Sequence, residues 1–279
     1  MANSREGGTI SRQAYIFNKH MAYNVLAGHT LFKGVMDMIK LRRRIAIPVL
    51  VLILLIATQL TQTRREHDSI PAVGERSPGI TLIIDPGHGG ADGGARSPGG
   101  LRESEVNLDI ALRLDLLMGL FGVRTIMTRD SEDITYSAEA TTFRAKKNED
   151  LRRVTTLANS TENAVFISIH QNMYTAPEPF GAQVLFARTA GSREFAESMQ
   201  KLMISALNPE NYRPAAAVPG RVFIMNNIKH PAILIECGFF SNPDEEALLK
   251  TDEYRLKIAT VIAAGFMQNK NLIEDVVVR

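Results

Sequence analysis

Three short runs of branched apolar residues each lead into a residue that carries chemistry. TLIID (81–85) passes through Pro86 into a glycine-rich turn holding His88, AVFISIH (164–170) finishes on His170, and PAILIE (231–236) finishes on Glu236. Runs of this length, rich in Ile and Val and bounded by Gly or Pro, predict strands buried in a sheet core. Between them the pattern turns helical. ESEVNLDIALRLDLLMGLF (103–121) places Val106, Ile110, Leu114 and Leu117 on one stripe, with Gly122 as its stop. VRTIMTR (123–129) and GAQVLFA (181–187) add strands. EDLRRVTTLANST (149–161) and REFAESMQKLMISAL (193–207) add helices, and SNPDEE (241–246) signals a helix start for the one or two helices that follow to residue 269. Strands alternating with helices predict an α/β fold: a mixed, largely parallel sheet flanked by helices on both faces. Ligands in such sheets gather beyond the carboxyl ends of the strands. That rule selects the positions after Asp85, Ile169 and Ile235, where His88, His170 and Glu236 stand.

The N-terminal third reads differently. A basic cluster, Lys40 and Arg42 to Arg44, precedes an uncharged apolar stretch from Ile45 to about Leu60. It is slightly short of the roughly 20 residues that span a bilayer, though Thr61, Gln62 and Thr63 extend it. The basic flank predicts a cytoplasmic N-terminus and an exported remainder. With no A-x-A-like site after the run, a retained membrane anchor is favoured over a cleaved signal. The expected organisation is therefore a leader (1–37), an anchor or signal (38–62), a polar linker (63–79) containing Pro71 and Pro78, one catalytic domain (80–269) and a tail (270–279). The leader sits oddly before a signal sequence; codons for KGV (33–35) can spell a ribosome-binding sequence, so Met36 or Met38 is the expected native start.

The formal net charge of +2 gives no electrostatic case for a nucleic-acid partner. A single cysteine, Cys237, excludes an intrachain disulfide. One residue from Glu236 in a strand, it points to the opposite face and reads as a small buried apolar residue. Taken singly, each candidate has a plain reading. His88 suits a turn, or a phosphate loop lacking the usual Gly-Lys-Ser/Thr ending. His170 suits a satisfied core histidine. Glu103 and Glu105 both suit a helix N-terminus. Glu236 suits a structural salt bridge, although a carboxylate ending a buried strand is costly unless partnered or used. Together they say more. Two histidines and a carboxylate commonly hold zinc in hydrolases with a fourth position open to water; the metal brings that water's pKa to about 7 and polarises the carbonyl under attack. His230 reads as a rim residue. Arg144, Arg152 and Arg153 read as a solvated face or as contacts to an anionic substrate.

Four separated motifs, IDPGHGGADGGA, GLRESEVNL, VFISIHQN and PAILIECGFFSNPDE, follow one another in an order that resembles the zinc-dependent N-acetylmuramoyl-L-alanine amidases, across residues 80–269. The resemblance implies that His88, Glu103 and His170 hold Zn2+ and that Glu236 is the catalytic acid/base. Glu105 falls where that family often has an acid that is not a ligand. RAKKNEDLRRVTTLAN and RVFIMNNIKHPAILIECGFFSNPDEEALL, with the short N-terminal anchor and no wall-binding repeat, are similar to the spore-cortex amidases of endospore formers. Those enzymes strip stem peptides from muramic acid; a deacetylase then permits muramic-δ-lactam formation, and germination lytic enzymes recognise the lactam. QNMYTAPEPFGAQVLF (171–186) departs from the family's plainer pattern and is expected to alter the substrate rim. The implied substrate is peptidoglycan, met on the extracytoplasmic face of a membrane, with an activating protein as a further partner. A vegetative amidase of cell separation, a carboxypeptidase-like zinc enzyme and a non-catalytic wall-binding protein are the competing functions.

Overall fold

The computed structural model describes residues 79–277, apart from residue 178. The expected leader, anchor and linker up to residue 78 lie outside the described residues. No helix among the described residues is long and apolar enough to cross a membrane.

The sheet has six strands: β1 (Thr81–Pro86), β2 (Arg124–Met127), β3 (Ala164–Asn172), β4 (Gln183–Phe186), β5 (Ala216–Ala217) and β6 (Ala232–Phe239), in the order β2-β1-β3-β6-β4-β5. β2, β1, β3 and β6 run parallel, while β4 runs antiparallel to β6 and parallel to β5. The mixed, largely parallel arrangement follows from the connections. Helical crossovers α1 (Glu103–Leu120) and α2 (Phe143–Ser160) return the chain to the same end of the sheet, as parallel pairing requires. β3 is instead followed by a loop, so the chain re-enters in β4 from the opposite end. The remaining helices are α3 (Ser192–Leu207), α4 (Phe223–Asn227), α5 (Pro243–Leu249) and α6 (Asp252–Val277).

Both faces of the sheet are covered, as the apolar runs require. Leu82, Ile84, Val165, Ile167, Ile169, Ile233 and Ile235 point into the larger core with side chains of α1, α3 and α6. Their strand neighbours Ile83, Phe166, Ala232 and Leu234 point the other way, onto Val154 and Ala158 of α2 and Met225 of α4. This alternation puts His170 and Glu236 on the α2 side and buries Cys237 in the larger core, where burial pushes its thiol pKa up.

Four elements differ from the sequence expectations. α2 begins at Phe143 rather than Glu149, because Thr142 accepts a hydrogen bond from the Ala145 N–H and caps it. β5 and α4 lie in RPAAAVPGRVFIMNN (213–227), where Pro and Gly mask the pattern. The domain limit expected at Asn269 falls inside α6, which runs on to Val277 and buries Ile273 in the larger core. Ile273→Ala is therefore expected to lower the unfolding free energy by about 2 kcal/mol, the low end for a buried isoleucine because a helix end can settle into the gap. Urea denaturation reads this as a lower midpoint; an unchanged midpoint contradicts the packing of this last turn.

Candidate metal centre

The turn after β1 is held by backbone and by one arginine. The Gly87 N–H donates to the Ile169 carbonyl at 2.9 Å, tying the turn to β3. His88 itself adopts a left-handed backbone, φ 64°, followed by Gly89 at 123° and Gly90 at 55°. For a residue with a Cβ this costs roughly 1–2 kcal/mol. The strain is opposed by reciprocal Gly89–Asp92 backbone hydrogen bonds of 2.7 and 2.9 Å. The buried Arg129 guanidinium adds to them, donating to the carbonyls of Pro86 (3.0 Å), Gly87 (3.2 Å) and Ser104 (2.8 Å). Arg129 thus fastens the histidine turn to the first turn of α1.

Glu103 opens α1 and is buried. Its Oε2 accepts the Ala95 N–H at 2.8 Å, and its Oε1 accepts the Gln171 N–H at 3.2 Å. The same Oε1 lies 3.2 Å from His88 Nε2 and 3.0 Å from His170 Nδ1. The imidazoles meet edge to face, centroids 4.9 Å apart. One ligand atom from each of His88, Glu103 and His170 falls within 4.8 Å of the others. Glu105 is exposed and pairs with Arg102, turned away from the cluster.

The glycines around His88 are there for their neighbours. A Cβ on Gly87 would collide with the His170 ring, and one on Gly94 would approach Glu103 Oε2 at 2.6 Å and His88 Cδ2 at 2.8 Å. Only bare backbone leaves room for three side chains to converge.

The electrostatics favour a cation at the centre. Burial alone would keep His88 neutral, but hydrogen bonds to Asp92 and Glu103 outweigh it and raise its pKa to about 9. Glu103 is opposed by burial too, yet the two histidines hold it below the usual carboxylate range. Two imidazole nitrogens and one carboxylate oxygen form a donor set suited to a borderline divalent metal. Asp92 meets His88 Nδ1 at 3.1 Å, leaving Nε2 to face Glu103, and is itself bound by Lys147 at 2.6 Å. Such carboxylate–histidine contacts fix ring orientation in metal sites.

Glu236 stands beside His170 in register on the adjacent strand and on the same face. Burial raises its pKa above the ordinary value, and its Oε2 is solvent-inaccessible with no hydrogen-bond partner. It shares with His88 and His170 a cavity of about 410 Å³, also walled by Tyr136, Arg153 and Arg221.

The structure therefore brings together all four residues singled out in the sequence. It does not do so for His230, which precedes β6 at the end of the sheet remote from Glu236 and lines no part of this cavity. Of the three arginines only Arg153 reaches the cavity wall, donating to the Thr128 carbonyl at 2.8 Å. Residues 171–186 do not line the cavity among the described residues; they are fastened elsewhere, with the Gly181 N–H on Glu245 and the Pro177 carbonyl on Asn242. Sequence reasoning missed Asp92, although its place four residues after His88 inside a turn was a usable signal. It also missed Arg129, whose role depends on contacts across the fold.

The profile of the family described as N-acetylmuramoyl-L-alanine amidase matches residues 82–268. The chain belongs to the N-acetylmuramoyl-L-alanine amidase family. The amidase is 37% identical over 193 residues to the germination-specific N-acetylmuramoyl-L-alanine amidase of Bacillus subtilis, covering 68% of this chain and 79% of that one. It is 32% identical over 198 residues to the amidase LytC of the same organism, covering 70% of this chain but 35% of LytC. Among solved structures it is similar to the CwlD amidase of Clostridioides difficile in complex with the GerS lipoprotein, with a TM-score of 0.65, 31% identity, and coverage of 69% of this chain and 99% of that one. The expected enzyme class and fold are thereby borne out.

Two outcomes test the site. Gly87→Ala is expected to displace the His170 ring and lose most bound divalent ion by elemental analysis, whereas Gly220→Ala, where a Cβ meets open space, retains it. Equal retention contradicts the packing argument. In the metal-free protein, the His88 ring protons should titrate near pH 9 by NMR, and Asp92→Asn should move that midpoint down toward 6.5. Because the folded pKa is the higher one, the stabilisation is complete below about pH 6.5 and fades as pH rises through about 9. An unmoved midpoint excludes Asp92 as the cause.

Proposed function

We propose that this amidase hydrolyses the amide between the lactyl carbonyl of N-acetylmuramic acid and the L-alanine of the stem peptide, with Zn2+ held by His88, Glu103 and His170 and with Glu236 carrying the proton. The observation that carries this reading is Glu236 itself: an unpartnered, buried carboxylate oxygen in the cavity wall, one strand from His170. A structural salt bridge would have paired it; among the described residues no cation does.

Zinc in this donor set supplies a Lewis acid for the carbonyl and a water that ionises near neutral pH. The chain's own part is to place and move protons. Burial makes the ionised Glu236 a stronger base than an exposed glutamate. It takes the proton from the attacking water and returns it to the alanine nitrogen as the amide breaks. Asp92 holds Nδ1 of His88, so that Nε2 is free to ligate. Arg129 keeps the turn and the helix N-terminus in register while substrate binds.

The likeness to a germination-specific enzyme supports the spore cortex as the site of action, where loss of the stem peptide precedes muramic-δ-lactam formation. Residues 38–62 then anchor the protein with residues 63–79 as linker, so that the domain acts on the extracytoplasmic face. The relative solved with a lipoprotein supports a protein partner here as well.

Glu236→Gln should abolish release of stem peptides from peptidoglycan, a loss of at least about 100-fold for a general acid/base, while zinc content stays near one per chain. Mass spectrometry of the digest separates the reactions: unsubstituted muramic acid supports the amidase, whereas release of single terminal amino acids identifies a carboxypeptidase. Turnover retained in Glu236→Gln overturns its role. Spore cortex from a deletion strain should lack muramic-δ-lactam; normal cortex with chained cells would assign a vegetative role instead.

A further inference from the structure

One face of α1 is fully used: Val106, Ile110, Leu114 and Met118 are buried against the sheet. The opposite face begins polar, with Glu105 and Asp109, but its C-terminal half is apolar. Leu112, Leu116 and Leu120 recur at every fourth residue and are 37%, 71% and 82% exposed, and Phe121, just past the helix end, is 57% exposed. A helix apolar on two faces has a second surface to cover. From Leu116 to Val123 there is no charged residue. The last turn also lacks the basic side chain that commonly serves a helix C-terminus.

The position of this patch is informative. α1 starts at the cavity with Glu103 and runs for 18 residues, about 27 Å at 1.5 Å per residue. It therefore ends at the far side of the domain, at the start of β1. Gly79, the first described residue, lies in one cleft with Gly122 and Val123, and Thr81 pairs with Arg124. The chain thus enters the domain beside the exposed leucines. The preceding sequence is the polar linker, residues 63–78, following the apolar run that ends near Leu60. Even fully extended, those sixteen residues reach no more than about 55 Å.

We propose that Leu116, Leu120 and Phe121 rest in the interfacial layer of the phospholipid membrane that holds the N-terminal segment, with the exposed Arg124 at the anionic headgroups. The proposal rests on the anchored reading of residues 38–62. A bilayer is the occupant, rather than a second copy, because the chain from the anchored segment enters the domain at this end. Tethering makes shallow insertion of a few side chains effective at a high local concentration. The same seating turns the cavity, at the opposite end of α1, outward to the polymer it cleaves.

The chain contains no tryptophan, so an introduced one is a sole reporter. Full-length Leu120→Trp should be reconstituted into vesicles of phosphatidylethanolamine and phosphatidylglycerol, with and without brominated acyl chains. Tyr212→Trp, at a residue 89% exposed on another part of the surface, is the control. The proposal expects blue-shifted emission and quenching by brominated lipid for Leu120→Trp only. Chains that float with the vesicles while Leu120→Trp stays unquenched overturn the docking and leave the anchor intact. Chains that do not float overturn both. A blue shift that grows with protein concentration in the absence of vesicles assigns the patch to a second copy and overturns the membrane.

Discussion

One carboxylate oxygen, Glu103 Oε1, receives two imidazoles and a backbone N–H from two separate parts of the chain, the turn after β1 and the last residues of β3. Each of those groups is held by something else that is buried. The His88 turn is strained and pinned by Arg129. His170 lies two residues before the end of β3, whose neighbours are locked in the sheet. The Gln171 N–H belongs to that strand's backbone. The anion at the start of α1 is therefore the meeting point of β1, β3 and α1. Glycine at positions 87 and 94 is the condition for that approach, since a single methyl at either would occupy the space of a site side chain.

The parallel strands explain why the fourth participant is in place. Register puts Glu236 directly beside His170, and strand alternation turns it to the same face, away from the larger core that takes Cys237. A carboxylate there loses water without gaining a hydrogen bond for Oε2. That is unfavourable for folding and suited to proton transfer, which is how active sites commonly depart from the rule that buried polar groups are satisfied. The polar support beneath is more orderly. Asn107 links the Gly87 carbonyl at 3.1 Å to the Gln171 side chain at 3.2 Å, so the turn, the helix and the strand share one hydrogen-bonded spine.

Much of this was legible in the sequence because the informative signals are local. Buried strands show as uncharged runs; the ends of those runs locate the site; glycines around a lone histidine announce crowding. The choice of Glu103 over Glu105 needed the family motif, and the fold gives its physical form: one carboxylate faces inward at the helix start and the other pairs with Arg102 at the surface. What escaped is non-local or atypical. Arg129 acts through carbonyls 25 to 43 residues away. β5 is two residues long and α4 five, too short for any periodicity to register. α6 outlasts its expected end because Ile273 finds the core, and no residue in MQNKNLIED announces that contact. His230 misled because a histidine before an apolar strand looks like a site residue until the strand's direction is known.

The central claim is that a divalent ion binds where Glu103, His88 and His170 converge. Anomalous diffraction at the zinc absorption edge, from crystals of protein purified without chelator, tests it most directly. The account predicts one strong peak within bonding distance of His88 Nε2, His170 Nδ1 and a Glu103 carboxylate oxygen. A well-ordered site with no anomalous peak there, or a zinc held by any other set of side chains, would contradict it.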